Sequence, residues 1–123
     1  MMLQVLRAKI QRAIVTDADL HYEGSIGIDE NLLEASGLLP YEKVHVLNIN
    51  NGARAETYII KGKRGSGEIV MNGAIARLAQ VGDPVIILSY GLVTEDEAKT
   101  VTPTVVLVNE KNQIVSVTPQ REN

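Results

Sequence analysis

The chain has 123 residues, of which 45% are hydrophobic and 22% charged, and its formal net charge is −3. This length fits one compact domain, so we expect a single domain over residues 1–123, with residues 119–123 as a disordered tail. No apolar run approaches the ~20 residues that span a bilayer, and charged residues interrupt the N-terminal segment where a secretory signal needs an apolar core. We therefore expect a cytoplasmic protein without a membrane partner.

The composition also excludes several kinds of site. The sequence contains no cysteine, which removes disulfides, thiolate zinc sites and cysteine nucleophiles together. Two histidines, His21 and His45, are too few and too far apart for a histidine-rich metal site. The acidic balance, with four tyrosines as the only aromatic residues, argues against a basic, aromatic nucleic-acid-binding face. We expect neither a metal nor a nucleic acid to bind.

The first third of the chain predicts one long strand and one short helix. Residues 3–15 alternate between apolar and polar side chains, as a strand with one buried face does. Asp29 is a typical N-cap for a helix over residues 30–36, and Gly37 is a typical end for that helix. Between the long strand and the helix, Gly24 and Ser25 lie where a strand runs into this helix. Taken alone, these two residues indicate a bulge or turn.

The middle of the chain predicts a hairpin. Residues 43–49 and 53–60 alternate as strands, and the sequence Asn-Asn-Gly at 50–52 is the strongest hairpin-turn signal in the chain. Residues 61–67 form a loop rich in glycine and lysine. This loop lacks the spacing of a phosphate-binding loop, so a solvated loop is the better interpretation.

The last part of the chain predicts further strands around one helix. Residues 68–71 are typical of a brief strand and residues 72–80 of a brief helix, while the apolar run 84–91 indicates a strand buried on both faces. The acidic segment 94–100 is a polar connection rather than a metal site. Residues 104–117 predict a last hairpin at the sheet edge. The total is six to eight strands with two short helices, which favours a mainly β fold closed as a small barrel.

Single residues do not establish a chemistry. His21 lies close to Ser25 in sequence, but strand geometry gives no reason for their side chains to meet. Tyr58 on a strand is ordinarily a packing residue, and Arg54 after a hairpin turn is ordinarily solvated.

Four longer motifs are more specific than these residues, and they occur in order over roughly residues 1–115: KIQRAIVTDADLHYEGSIGID, NNGARAETYII, RGSGEIVMNGAIARLAQVGDPVIILSY and VLVNEKN. Together they resemble the pyruvoyl-dependent aspartate 1-decarboxylases. The resemblance implies a small six-stranded double-psi β-barrel with short helices and a C-terminal hairpin. It also implies a homotetramer with sites between subunits, which converts L-aspartate to β-alanine and carbon dioxide for pantothenate and coenzyme A synthesis.

The resemblance further implies that the precursor cleaves itself after Gly24 into residues 1–24 and 25–123. Ser25 would become the pyruvoyl group, which forms a Schiff base with the substrate in place of pyridoxal phosphate. Thr57 would donate a hydrogen bond to the Gly24 carbonyl during processing. Tyr58 would return a proton to the substrate. The cations Lys9 and Arg54 would bind its carboxylates, and the remaining implied pocket residues are Tyr22, Thr57, Asn72, Gly73 and Ala74.

Three residues depart from the pattern of the family. Gln11 replaces a histidine and cannot carry a positive charge, Gly27 replaces a threonine, and Ile75 adds bulk beside the expected pocket. These departures leave open the need for a maturation factor. They also leave an alternative function open, which is an unprocessed, non-enzymatic barrel that binds a small molecule or a protein partner.

Overall fold

A computed structural model of the chain describes residues 1–119. The predicted tail at 119–123 lies outside the described residues except for Pro119. The strands are β1 (Met2–Ile14), β2 (Asp17–Asp19), β3 (Ser25–Asp29), β4 (Lys43–Asn48), β5 (Arg54–Gly62), β6 (Ile69–Asn72), β7 (Pro84–Thr94), β8 (Thr104–Val108) and β9 (Ile114–Thr118). The helices are α1 (Glu30–Ser36), a 3₁₀ helix (Gly73–Leu78) and α2 (Glu95–Ala98).

The strands form a mixed sheet in the order β2-β6-β3-β5-β4-β7-β1-β8-β9. The pairs β1–β8, β2–β6 and β3–β5 are parallel and the others antiparallel. Parallel partners need crossover connections, and the predicted double-psi barrel requires such connections.

Alternate side chains of these strands form one hydrophobic core. The core includes Ala8 and Ile10 of β1, Ile26 and Ile28 of β3, and Ile87 of β7, together with the inner residues of α1. Arg7, Lys9 and Gln11, which flank the buried Ala8 and Ile10, are half-buried as the alternation predicts. The alternation breaks at Arg12, which is exposed and has φ +62°. The mainly β class, the short helices and the C-terminal hairpin are confirmed.

Local signals are confirmed at both ends of α1 and in the hairpin between β4 and β5. The Asp29 carboxylate accepts a hydrogen bond from the Asn31 amide, and Gly37 ends the helix in the left-handed conformation. Gly52 takes the positive φ of +74° that the turn needs, and its N–H donates to the Asn48 carbonyl. These features depend on a few neighbouring residues, which is why the sequence predicts them well.

Other boundaries differ from the prediction. The described part of the chain has nine strands rather than six to eight, because β2 is a three-residue strand held by distant β6. The structure places residues 61 and 62 in β5 rather than in a loop, and it places four residues of the acidic segment 94–100 in α2. β7 extends to Thr94, and its alternating burial beyond Ser89 shows that it is not buried on both faces throughout.

The predicted brief helix over residues 72–80 is present, but it is a 3₁₀ helix that starts one residue later and ends two residues earlier. Asn72 is extended, with φ −110° and ψ 143°, and it ends β6. Gly73 then takes φ +72°, which breaks the strand and starts a 3₁₀ helix instead of an α-helix. This junction lies against the Gly24–Ser25 segment.

Candidate active site

The Gly24–Ser25 bond lies at the boundary between an exposed turn and a buried strand. Gly24 is exposed, whereas Ser25 is fully buried as the first residue of β3. β3 is buried along its whole length because β5 and β6 pair with its two edges. Residue 25 is therefore held firmly, while the peptide segment before it faces solvent.

The Ser25 hydroxyl has two hydrogen-bond partners. Its Oγ donates to the Glu23 carbonyl oxygen at 3.1 Å and accepts from Asn72 Nδ2 at 3.2 Å. Because the Glu23 acceptor lies two residues earlier in the chain, the hydroxyl is turned back over the Gly24–Ser25 peptide unit. Two hydrogen bonds thus hold the nucleophile of the expected self-cleavage beside the bond that it would attack.

Asn72 and Gly73 lie beside this bond. Asn72 is paired with Ser25 across the β3–β6 ladder and is almost completely buried. A Cβ atom at Gly73 would lie 2.7 Å from Gly24 Cα and 3.2 Å from the Tyr22 carbonyl oxygen. Only glycine permits this approach of two backbone segments.

A small cavity of about 180 Å³ lies next to Gly27, and Tyr22, Val70 and Asn72 also line it. Two of the expected pocket residues, Tyr22 and Asn72, therefore line the same cavity. A larger hollow of about 540 Å³ between α1 and β9 contains none of the predicted site residues.

The residues expected to act in processing and proton return lie on the strand beside β3. Ile59 of β5 is paired with Ile26, the residue after Ser25. Tyr58 therefore lies level with Ser25 on the adjoining strand, and both Tyr58 and Thr57 are half-buried. The parallel β3–β5 pairing, which joins residues far apart in sequence, creates this proximity.

The two expected substrate-binding cations lie farther away. Lys9 is paired with Leu88 on β1, and three strands separate β1 from β3 in the sheet order. Arg54 begins β5, and its Cα lies about 16 Å along that strand from the level of Ile59. The sheet pairing of a single chain therefore does not bring these cations to Ser25.

Both cations are nevertheless available to bind an anion. Within residues 1–119, neither Lys9 nor Arg54 forms an ion pair with a carboxylate. Glu56, two residues from Arg54, is bound instead by Lys43 Nζ at 3.0 Å. The Lys43 ammonium lowers the pKa of Glu56 through a hydrogen bond and through its charge.

The remaining predicted positions are placed as follows. Ala74 is exposed on the 3₁₀ helix, and Gln11 is half-buried on β1 beside Leu107 of β8. Ile75 is only 8% exposed and belongs to the hydrophobic core. The effect of its bulk on the expected pocket stays a prediction.

Two features of the site are not evident from the sequence. The Glu23 carbonyl is a backbone group that carries no side-chain signal. The approach of Gly73 to Gly24 also escapes notice, although the Asn-Gly pair at residues 72–73 is a common mark of a left-handed turn. Within residues 1–119, no group of three or more histidine, aspartate or glutamate side chains could hold a metal ion, and no helix is long and apolar enough to cross a membrane.

Comparisons of the sequence with known proteins all find aspartate decarboxylases. The sequence model of the aspartate decarboxylase family matches residues 1–115. The chain is 57% identical over 123 residues to an aspartate 1-decarboxylase of Caldicellulosiruptor saccharolyticus, covering 100% of this chain and 96% of the relative. It is 61% identical over 117 residues to one from Carboxydothermus hydrogenoformans, covering 95% and 92% respectively.

Among solved structures, a rationally designed protein named mkDPBB_sym_86 matches with a TM-score of 0.47 and 15% identity, over 63% of this chain and 90% of that one. The full-length sequence matches, and not this structural likeness, establish the family. The chain belongs to the aspartate decarboxylase family.

Proposed function

We propose that this chain decarboxylates L-aspartate to β-alanine and carbon dioxide, using a pyruvoyl group made from its own Ser25. The observation that carries the proposal is the geometry at Ser25. Its buried hydroxyl is turned back over the Gly24–Ser25 peptide unit, and Gly24 itself is exposed. Membership of the aspartate decarboxylase family supports the substrate and the reaction. The proposed role is a step of pantothenate synthesis in the cytoplasm.

The processing reaction uses atoms of the chain and one water molecule. Ser25 Oγ attacks the Gly24 carbonyl carbon, the C–N bond breaks, and an ester replaces the amide while the Ser25 amine is released. Loss of the Ser25 Cα proton expels the Gly24 carboxylate and leaves dehydroalanine. Water then converts this group to a ketone and releases ammonia. The oxyanion at Gly24 needs a hydrogen-bond donor, and we assign that role to Thr57.

The residues around position 25 fit a pyruvoyl group. The β3–β6 pairing holds residue 25 in the sheet, so the new chain end stays in place after cleavage. The adjoining cavity of about 180 Å³ offers space on the side of Tyr22 and Gly27. A ketone at this position supplies an electron sink for the loss of a carboxylate.

Other residues then bind the substrate and move the proton. Tyr58, level with Ser25 on β5, holds the proton that returns to the substrate Cα. Arg54 binds a carboxylate through its guanidinium and Lys9 through its ammonium. Because these cations lie away from Ser25 in one chain, we propose that a second subunit supplies them, in a homotetramer with shared sites.

Intact mass spectrometry tests this proposal. Purified protein is expected to contain residues 1–24 and residues 25–123 as separate chains, with a pyruvoyl group at the start of the second. Ser25→Ala is expected to stay uncut and to produce no β-alanine, because it lacks the attacking oxygen. A full-length mass alone after prolonged warming favours the non-enzymatic barrel, and β-alanine production by Ser25→Ala rules out the pyruvoyl mechanism.

A further inference from the structure

We propose that Asn72 and Gly73 form a positioning pair for self-cleavage, in which Asn72 holds the nucleophile and Gly73 fixes the backbone of Gly24. This inference rests on the proposed function and adds a role in processing to two residues expected in the substrate pocket. The two residues are adjacent in sequence and contact the two sides of the bond to be cut. Their contacts exist before any substrate binds.

The contact of Gly73 is with backbone atoms. A Cβ atom at residue 73 would lie 2.7 Å from Gly24 Cα and 2.9 Å from Gly24 N. Both distances are shorter than ordinary van der Waals contact, and neither atom belongs to a flexible side chain that could move aside. An added methyl group must therefore displace the chain at Gly24.

The contact of Asn72 fixes the other reactant. Its amide donates to Ser25 Oγ at 3.2 Å, and its backbone is paired with Ser25 in the β3–β6 ladder. Both residues are buried, at 4% and 0% exposure. A displacement of Gly24 would therefore change the distance between the Gly24 carbonyl carbon and a hydroxyl that stays in place.

The approach to the cleavage site is particular to Gly73 among the glycines of residues 1–119. Gly67 also has a positive φ and a close backbone contact, but that contact is with the Lys111 carbonyl oxygen at 2.9 Å. Gly37, Gly52 and Gly82 also have positive φ values, but an added Cβ at any of them would meet nothing within 4 Å. Those glycines are needed for their backbone conformation alone. Gly73 is needed for its conformation and also for the close approach to Gly24, and Gly52 therefore provides a matched control.

The experiment compares Gly73→Ala with Gly52→Ala. Both variants put alanine at a φ near +70°, so both carry similar backbone strain. Freshly made protein is incubated, and mass spectrometry follows the appearance of residues 25–123 while the melting temperature is measured in parallel. We expect Gly73→Ala to cleave at least ~10-fold more slowly than the wild type, since small misplacements of reacting groups can cost as much as ~100-fold. Gly52→Ala is expected to cleave at the wild-type rate.

Hydroxylamine provides a readout that a loss of stability alone does not change. It cleaves esters much faster than amides, so it traps the ester formed by attack of Ser25 Oγ. Wild-type precursor is expected to yield residues 1–24 as a hydroxamate together with residues 25–123 starting at serine. Gly73→Ala is expected to yield little of either product, because its block precedes the ester.

Gly73→Asn keeps the test decisive if the alanine variant fails to fold. Asparagine tolerates positive φ better than alanine but still places a Cβ against Gly24. The inference is overturned if the folded Gly73 variants cleave as fast as the wild type, or if hydroxylamine releases their products normally. An uncut wild type would instead overturn the proposed function itself, so the two failures are distinguishable.

Discussion

Gly27 is a residue whose replacement tests how tightly β3 is packed. It lies inside a strand, where glycine costs conformational entropy and contributes no side-chain packing. A Cβ there would meet Val70 Cβ at 3.4 Å and Ile60 Cγ1 at 3.8 Å, which is ordinary contact. An alanine side chain at this position is therefore compatible with the fold of this chain.

We predict that Gly27→Ala raises the free energy of unfolding by about 0.5–1 kcal/mol, because it restricts the unfolded chain without strain in the folded one. The measurement is urea unfolding in the Ser25→Ala background, which keeps the chain intact. Gly62→Ala is the control, since its Cβ would lie 3.0 Å from the Ile28 backbone and should lower the free energy by about 1–3 kcal/mol. Equal effects of the two substitutions would contradict this view of the packing.

At the scale of single residues, the sequence predicts the roles of some residues well and those of others not at all. The capping roles of Asp29 and Gly37 involve neighbours within a few positions, so these roles are readable from local signals. The meeting of Ser25 with Asn72 depends on β3–β6 pairing between residues 47 apart. Only the family resemblance could indicate Asn72, because no local pattern specifies that pairing.

At the scale of elements, α1 depends on contacts beyond its own turns. A helix of seven residues is too short to be stable alone. The Asp29 carboxylate joins it to the loop after β5, since Oδ1 accepts from the amides of Asn31 and Gly65, and Oδ2 accepts from that of Gly67 at 2.8 Å. One buried side chain thus begins a helix and fixes a loop.

We predict that Asp29→Ala lowers the free energy of unfolding by at least ~2 kcal/mol, since it removes the cap and both loop contacts. Asp29→Asn keeps an acceptor for Asn31 but directs an amide group at the Gly67 N–H. The decrease in the free energy of unfolding should therefore be smaller for Asp29→Asn than for Asp29→Ala. Thr94→Ala removes the cap of the exposed helix α2 and is expected to cost less than Asp29→Ala. Urea unfolding followed by circular dichroism gives all three values. If Asp29→Ala lowers the free energy of unfolding no more than Thr94→Ala does, the loop contacts do not stabilise the fold.

The elements also show why strands are predicted better than short helices here. Alternation identifies the longer strands because it samples six or more residues. The brief helix predicted over residues 72–80 starts one residue late, because the left-handed φ of Gly73 comes at its start. α2 could have been found, since Thr94 and Glu97 have the spacing of a capping box. β2 could not, because its partner β6 is more than fifty residues away.

At the scale of the whole molecule, the sequence does not show how the site residues are distributed. Processing residues gather around β3, while Lys9 lies three strands away and Arg54 at the far end of β5. This separation follows from sheet order, which is fixed by long-range pairing. It is the observation on which we base the proposal of a site shared between subunits.

The whole fold also has an acid-sensitive junction at Asp83. Its carboxylate joins the start of β7 to the hairpin after β4 and to the end of the 3₁₀ helix, through Asn48 Nδ2 at 2.8 Å, Asn50 Nδ2 at 3.0 Å and the Gln80 N–H at 2.9 Å. These hydrogen bonds, the one from Asn48 foremost, hold the pKa of Asp83 below its ordinary value of 3.8. All three donors are neutral, unlike the Arg64 partner that lowers the pKa of Glu34.

We predict that Asp83→Asn destabilises the protein at about pH 7 and that this difference narrows as the pH falls below the ordinary aspartate pKa of 3.8. A carboxylate whose pKa is lowered by folding contributes stability above its unfolded pKa, and this contribution is lost as the pH falls through the folded value. Because the donors to Asp83 are uncharged, the difference at neutral pH should persist at about 1 M salt, whereas pairs such as Glu34–Arg64 are screened. Urea unfolding of the Ser25→Ala chain at both pH values and two salt concentrations provides the measurement, with Glu34→Gln as the salt-sensitive control. A difference that disappears in high salt would mean that distant charges, rather than the amide donors, stabilise the Asp83 carboxylate.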